Sequence, residues 1–285
     1  MLRLAEFMPV DPNRLRKEGV YESHSPLANL STDLDEIERL AADWRAQRKR
    51  FQISAAALLL VGLVLLTLSP AVGILAIALG IGLFFWVKRY KKTVAGGLDR
   101  CAVVRKVAGM LIKDTAARQA VTIHLAFDPK REVLSEIPLP HRKNGKQRIY
   151  RASWLSVEAC LLDGTTFSET IEDLVRVRSF TNPRGKSKTR TRTRSIVAMR
   201  FAYPAEVYGN VTPLAERLQK EIRLPASAAL KQFAAGERQV KVKALVTKAE
   251  ELGDTTPMLA LGVYRMLNLS RKLTARARRS KGNQP

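Results

Sequence analysis

Hydrophobic residues are distributed unevenly along this chain. Two runs without a single charge, 53–68 (ISAAALLLVGLVLLTL) and 71–87 (AVGILAIALGIGLFFWV), are separated only by Ser69-Pro70. As one straight helix the segment would measure roughly 52 Å, against a hydrocarbon core of about 30 Å. Split at Ser69-Pro70, each run measures roughly 24 to 26 Å, and Pro70 removes a helical hydrogen bond where a turn is needed. The pattern predicts two antiparallel membrane helices joined by a tight turn. Each apolar Leu, Ile, Val or Phe near a helix centre favours insertion by roughly 0.3 to 0.6 kcal/mol, and no ionisable residue opposes them. RAQRKR (45–50) precedes the pair and KRYKK (88–92) follows it, so the positive-inside rule keeps both termini cytoplasmic. Trp86 and Tyr90 stand where interfacial anchors are expected, and Ala76/Gly80 and Ala78/Gly82 have small-residue spacing for close helix contact. The segment starts too late for a cleaved signal peptide. Two alternatives share the pattern: a buried hairpin in a soluble protein, and a wedge that dips into one leaflet and returns.

On either side of the hairpin the periods change. Residues 1–31 hold Pro9, Pro12 and Pro26 without a clear period and read as an irregular arm. Thr32-Asp33-Leu34-Asp35 resembles a capping box opening an amphipathic helix over 32–52, with Leu34, Ile37, Leu40, Ala41 and Trp44 on one face. A juxtamembrane segment, 88–119, carries a second amphipathic helix over 98–118. Strand alternation governs 120–210, with VTIHLAF at 121–127, a hairpin turn at Asn144-Gly145, and two strands around Asp163-Gly164. Asn182-Pro183-Arg184-Gly185 has the residue preferences of a type I turn. Helical patterns return over 211–270, at 212–223, at 226–235 and in a last helix opened by Thr256-Pro257; 271–285 is a basic tail. The expected fold is an α+β membrane protein: a two-helix transmembrane hairpin plus a cytoplasmic domain with an antiparallel β-sheet and flanking helices.

Charge sharpens this picture. The chain of 285 residues carries a net +23. Residues 1–52 hold nine basic and nine acidic residues and 53–87 hold none, so the whole excess belongs to 88–285. Such a field attracts polyanions and says nothing about fold. Its densest point is KSKTRTRTR, in which Lys186, Lys188, Arg190, Arg192 and Arg194 would share one face of a strand, with Ser187, Thr189, Thr191 and Thr193 on the other. Val197, Met199, Phe201 and Tyr203 follow on the Thr side, so the cations are expected to face away from the core. Pairing about a four-residue loop would set Arg190 and Arg192 opposite Val177 and Val175, exposing two valines unless a bulge shifts the register. The five cations form the candidate anion site. Lipid headgroups are the leading partner, at about 1 kcal/mol per cation near an anionic leaflet. Nucleic acid or an acidic protein is the alternative, and the stretch lacks interleaved aromatics for base stacking. Further cations lie in the tail (Arg271, Lys272, Arg276, Arg278, Arg279, Lys281) and in the loop at Arg142, Lys143, Lys146 and Arg148; nearness to the membrane would let them share a role at the leaflet.

Catalytic patterns are not legible. Asp163-Gly164-Thr165-Thr166 lacks the lysine of a phosphate loop and suits a turn. His24, His124 and His141 have no triad partner at readable spacing, and Cys101 and Cys160 form neither a disulfide framework nor a zinc motif. The glycosylation patterns at Asn29, Asn210 and Asn268 have no meaning in a cytoplasmic domain. The expectation is a non-enzymatic, membrane-anchored interaction or scaffold protein without metal or cofactor, open to self-association; an enzyme with an unrecognised site is the remaining alternative.

Overall fold

In the computed structural model the described residues are 10–89, 97–140, 145–182 and 185–282. Residues 10–31 of the arm expected to be irregular are ordered, because Pro12 and Pro26 punctuate elements instead of interrupting them; residues 1–9 lie outside the described residues. Asp11 accepts from the backbone N–H groups of Asn13 and Arg14, Pro12 opens helix α1 (Pro12–Glu18), and Gly19, at φ 66°, closes it. Strand β1 (Val20–Pro26) then pairs antiparallel with β2 (Ala120–Ala126), and Pro26 leads directly into α2.

Helix α2 (Leu27–Leu68) runs unbroken for 42 residues, roughly 63 Å. The expected capping box therefore lies inside the helix. Asp33 is buried there and accepts from the Tyr21 hydroxyl at 2.5 Å, tying α2 to β1. The first half of α2 packs on the body through Leu27, Leu30, Leu34, Ile37 and Ala41. Ser69 is extended, Pro70 opens α3 (Pro70–Arg89), and α3 folds back along α2. Close approach requires glycine here: a Cβ on Gly73 would stand 2.6 Å from the Leu66 backbone nitrogen, and one on Gly62 2.8 Å from Ile77. Gly80 shares this interface through Leu59, whereas a Cβ on Gly82 would meet nothing within 4 Å, so the Ala78/Gly82 pair does not mediate the contact.

The chain re-enters the body at Gly97, against Phe127, and continues as α4 (Asp99–Leu111), shorter than the expected 98–118. The sheet comprises β3 (Glu132–Pro138), β4 (Lys146–Cys160), β5 (Thr166–Thr181), β6 (Ser187–Ala202), β7 (Ala228–Ala235) and β8 (Gln239–Val246) with β1 and β2. Its order is β1-β2-β4-β5-β6-β8-β7, with β3 added beside the upper half of β4, and every pairing is antiparallel. Residues 226–235, expected as helix, contain β7, and β8 was not expected at all. Both strands earn their place by pairing: QVKVKALV buries Val240, Val242, Ala244 and Val246 on one side and leaves Lys241 and Lys243 exposed on the other.

A short helix α5 (Ala205–Tyr208), a 3₁₀ turn (Thr212–Leu214) and α6 (Ala215–Glu221) follow β6. The last helix, α7 (Leu252–Gly282), starts five residues before Pro257 and absorbs most of the expected tail. Helices α2, α4 and α7 cover one side of the sheet, burying Trp154, Phe167, Ile171, Val197 and Phe201, at roughly 1.5 to 3 kcal/mol for each large apolar side chain. At the start of α4, Arg100 fastens that layer. Its guanidinium donates to the Ala126 and Phe127 carbonyls and to Asp173 (2.7, 3.0 and 3.0 Å) and lies 4.9 Å from the Trp154 ring centre. Trp154 and Ser195 donate to the other Asp173 oxygen.

Candidate functional site

Two features project from one end of this body. Helix α2 starts where β1 ends, beside Ala120, and α4 restarts at the opposite end of β2, where Arg100 holds Ala126, Phe127 and Asp173. The apolar hairpin therefore leaves the body at the Phe127 end. Strands β5 and β6 run past that same level: beyond the Asp173–Ser195 pair they continue for eight more rungs to Thr181–Ser187, roughly 26 Å.

The first feature is the hairpin. Among the described residues, thirteen of its large apolar side chains are exposed, including Leu60, Leu63, Leu68, Leu75, Leu79 and Phe85. Only 11% of the most apolar 18-residue stretch of α2 is buried within the protein. Helix α2 is long and apolar enough to cross a membrane; the apolar stretch of α3, Pro70–Phe85, is shorter. Tyr90 lies outside the described residues.

The second feature is the basic β-ribbon. Its connection is five residues long, not four: Thr181 pairs with Ser187, and Asn182 organises the loop. The Asn182 carbonyl accepts from Gly185 N–H and its side chain from Lys186 N–H, while Gly185 takes φ 75°, a conformation that suits glycine. Pro183 and Arg184 lie outside the described residues. One extra loop residue moves the register by one. Val175 and Val177 then face Thr193 and Thr191 on the helix side, and Arg176 and Arg178 come directly opposite Arg192 and Arg190 on the open side. No bulge is needed to hide the valines.

Lys188, Arg190, Arg192 and Arg194 are thus strand residues on the open side, all exposed, while Lys186 belongs to the loop. Arg176 and Arg178 complete the array, and neither was identified as a site residue because the expected register placed valines opposite the cations. Cross-strand neighbours have Cβ atoms about 4.5 to 5.5 Å apart, where like charges destabilise the sheet. Among the described residues no acid pairs with Arg176, Lys188, Arg190, Arg192 or Arg194; Arg178 donates to the Gln147 side chain at 2.7 Å. The two facing arginine pairs therefore carry an electrostatic cost that a bound anion would relieve.

The other cation clusters divide. In the loop cluster, Arg142 and Lys143 are outside the described residues, and Lys146 and Arg148 are engaged by Glu136 at 3.4 and 2.9 Å. The tail leaves from the other end. Ser270 donates to the Tyr208 carbonyl, and the Tyr208 hydroxyl bonds Asp163 in the β4–β5 turn, the end of the sheet remote from the hairpin. Arg271, Lys272 and Arg276 therefore do not stand beside the ribbon.

Elsewhere, Asp163-Gly164 forms the turn its residues suggest, with Gly164 at φ 82°. His124 contacts Glu22 at 3.0 Å and His24 contacts Thr122 at 2.9 Å, both exposed pairs across β1 and β2; His141 is outside the described residues. Cys101 is buried, which pushes its thiol up to about 12, and Cys160 is exposed. Among the described residues no three His, Cys, Asp or Glu side chains converge as metal ligands. No protein-family model, curated protein or solved structure matches the chain.

Proposed function

We propose that this protein is a non-enzymatic, membrane-anchored interaction module: the α2–α3 hairpin crosses the bilayer as two helices, both termini are cytoplasmic, and the ribbon contacts anionic headgroups of the same membrane. The observation that carries the reading is the common origin of the two features. A chain that presents an exposed apolar hairpin and an unneutralised cationic ribbon at one end matches the two layers of an anionic membrane, hydrocarbon and headgroup. The hairpin has no ionisable residue over 53–87, so it resembles an anchor more than a transport path.

The test is hydrogen exchange on the full chain in nanodiscs, with anionic or zwitterionic lipid, at low and high salt and without nucleic acid. Amides of 186–194 are expected to slow in anionic discs only, and to recover at high salt as the contact is screened. Equal exchange in the two lipids would remove the headgroup contact and leave the anchor.

A further inference from the structure

The open side of the sheet carries cations well beyond the ribbon. Following β6 downward on the same side, Lys188, Arg190, Arg192 and Arg194 are succeeded by Ile196, Ala198 and Arg200, a distance of roughly 40 Å from Lys188 to Arg200 at about 3.3 Å per residue. Arg200 stands directly opposite Lys241 on β8, and Lys243 stands opposite Ala198. All three cations are exposed, and among the described residues none has an acidic partner. Arg200–Lys241 is thus a third like-charge cross-strand pair, in line with Arg176–Arg192 and Arg178–Arg190. Glu172 of β5, on this side opposite Ile196, is taken by Arg151 from the neighbouring strand at 3.6 Å.

A bilayer cannot cover this stripe. Helix α2 packs on the opposite side of the sheet and so lies parallel to its plane; the same unbroken helix forms the first arm of the hairpin. A membrane crossed by that arm meets the sheet edge-on. Only the ribbon end reaches the headgroups, and Arg200, Lys241 and Lys243 sit roughly 33 to 40 Å below Lys188, past several Debye lengths at physiological salt.

We propose that this open side holds a nucleic acid by its phosphates, along β6, with the distal group Arg200, Lys241 and Lys243 as the part of the surface that lipid does not reach. Three features fit that partner. Alternate residues of β6 recur every 6.6 Å or so, the scale on which phosphates follow one another in a nucleic-acid backbone. The facing cation pairs offer two donors per rung, which suits a tetrahedral phosphate with several acceptor oxygens. The array is linear, as a phosphate chain is. No aromatic side chain stands exposed along β6 or β8 on this side, so the contacts fall on the backbone and binding is independent of base sequence.

The inference rests on the membrane reading only for orientation, and its test uses the full chain in zwitterionic nanodiscs, where no lipid anion competes. A fluorescent 20-base-pair duplex is titrated by anisotropy over a salt series, against wild type, R200Q/K241Q/K243Q and K188Q/R190Q/R192Q, with polyglutamate of equal charge as competitor. The distal variant is expected to flatten the log–log salt slope by about 2.7, at about 0.9 per phosphate contact, and to weaken binding at least tenfold near 0.1 M salt. The ribbon variant is expected to lose a similar amount, and polyglutamate to compete poorly. An unchanged slope in the distal variant overturns the proposal, and polyglutamate competing as well as duplex reassigns the surface to acidic protein. Neither result bears on the headgroup contact, which is read in anionic discs without nucleic acid.

Discussion

Glu169 offers the sharpest test of the packing. It lies on β5, on the helix-covered side of the sheet, opposite Met199, and it is fully buried. One carboxyl oxygen accepts the Thr256 hydroxyl of α7 at 2.9 Å; the other has no partner among the described residues. Burial pushes its pKa up from 4.5 to about 8, against a smaller opposing effect of the Thr256 bond. The folded protein therefore keeps this carboxyl neutral at pH 7, while the unfolded chain ionises it. Its stability contribution is intact below about pH 4.5 and is lost progressively as pH rises to about 8, by about 1.4 kcal/mol per pH unit and about 5 kcal/mol in all. Glu169→Gln keeps the shape and the acceptor for Thr256 but cannot ionise, so its stability relative to wild type should improve by about 4 kcal/mol between pH 5 and pH 8. The assay is urea unfolding of the detergent-solubilised full chain across that range, followed by the fluorescence of buried Trp154. A stability difference that stays constant from pH 5 to pH 8 would refute the buried neutral carboxyl.

Two further outcomes check the ribbon and the anchor. With Cys160→Ser as background, Val177→Cys with Thr191→Cys should close a disulfide readily, because the two positions are direct partners, whereas Val177→Cys with Arg190→Cys should not; the reverse result would restore the four-residue-loop register. In sealed proteoliposomes on the same background, Ser69→Cys at the hairpin turn should react with an impermeant thiol reagent only from the side opposite the body, and labelling from the body side would make the hairpin a re-entrant wedge.

The apolar hairpin with its Ser69-Pro70 turn, the β4–β5 turn at Asp163-Gly164 and the alternation of cations with threonines were legible in the sequence, because each depends on residues within a few positions of one another. The same holds for the core side of β6, since Val197, Met199 and Phe201 continue one alternation. What failed depended on distant partners or on a count of one. Residues 226–235 have no strong strand period of their own and become β7 only because β8 is there to pair with; β8 in turn lies against β6, some forty residues earlier in the chain. The arm over 1–31 has three prolines and no clear period of its own, while β2, about a hundred residues on, supplies the hydrogen bonds that make β1 a strand.

The charge pattern by itself determined that a cationic face would exist. Only the tertiary structure decided what that face contains. A five-residue loop in place of four turned Arg176 and Arg178 toward Arg192 and Arg190, and the placement of β8 beside β6 brought Lys241 to Arg200. Side-chain direction in a strand has period two, so a shift of one residue exchanges the two faces, and no local pattern in either strand records which register its partner will adopt.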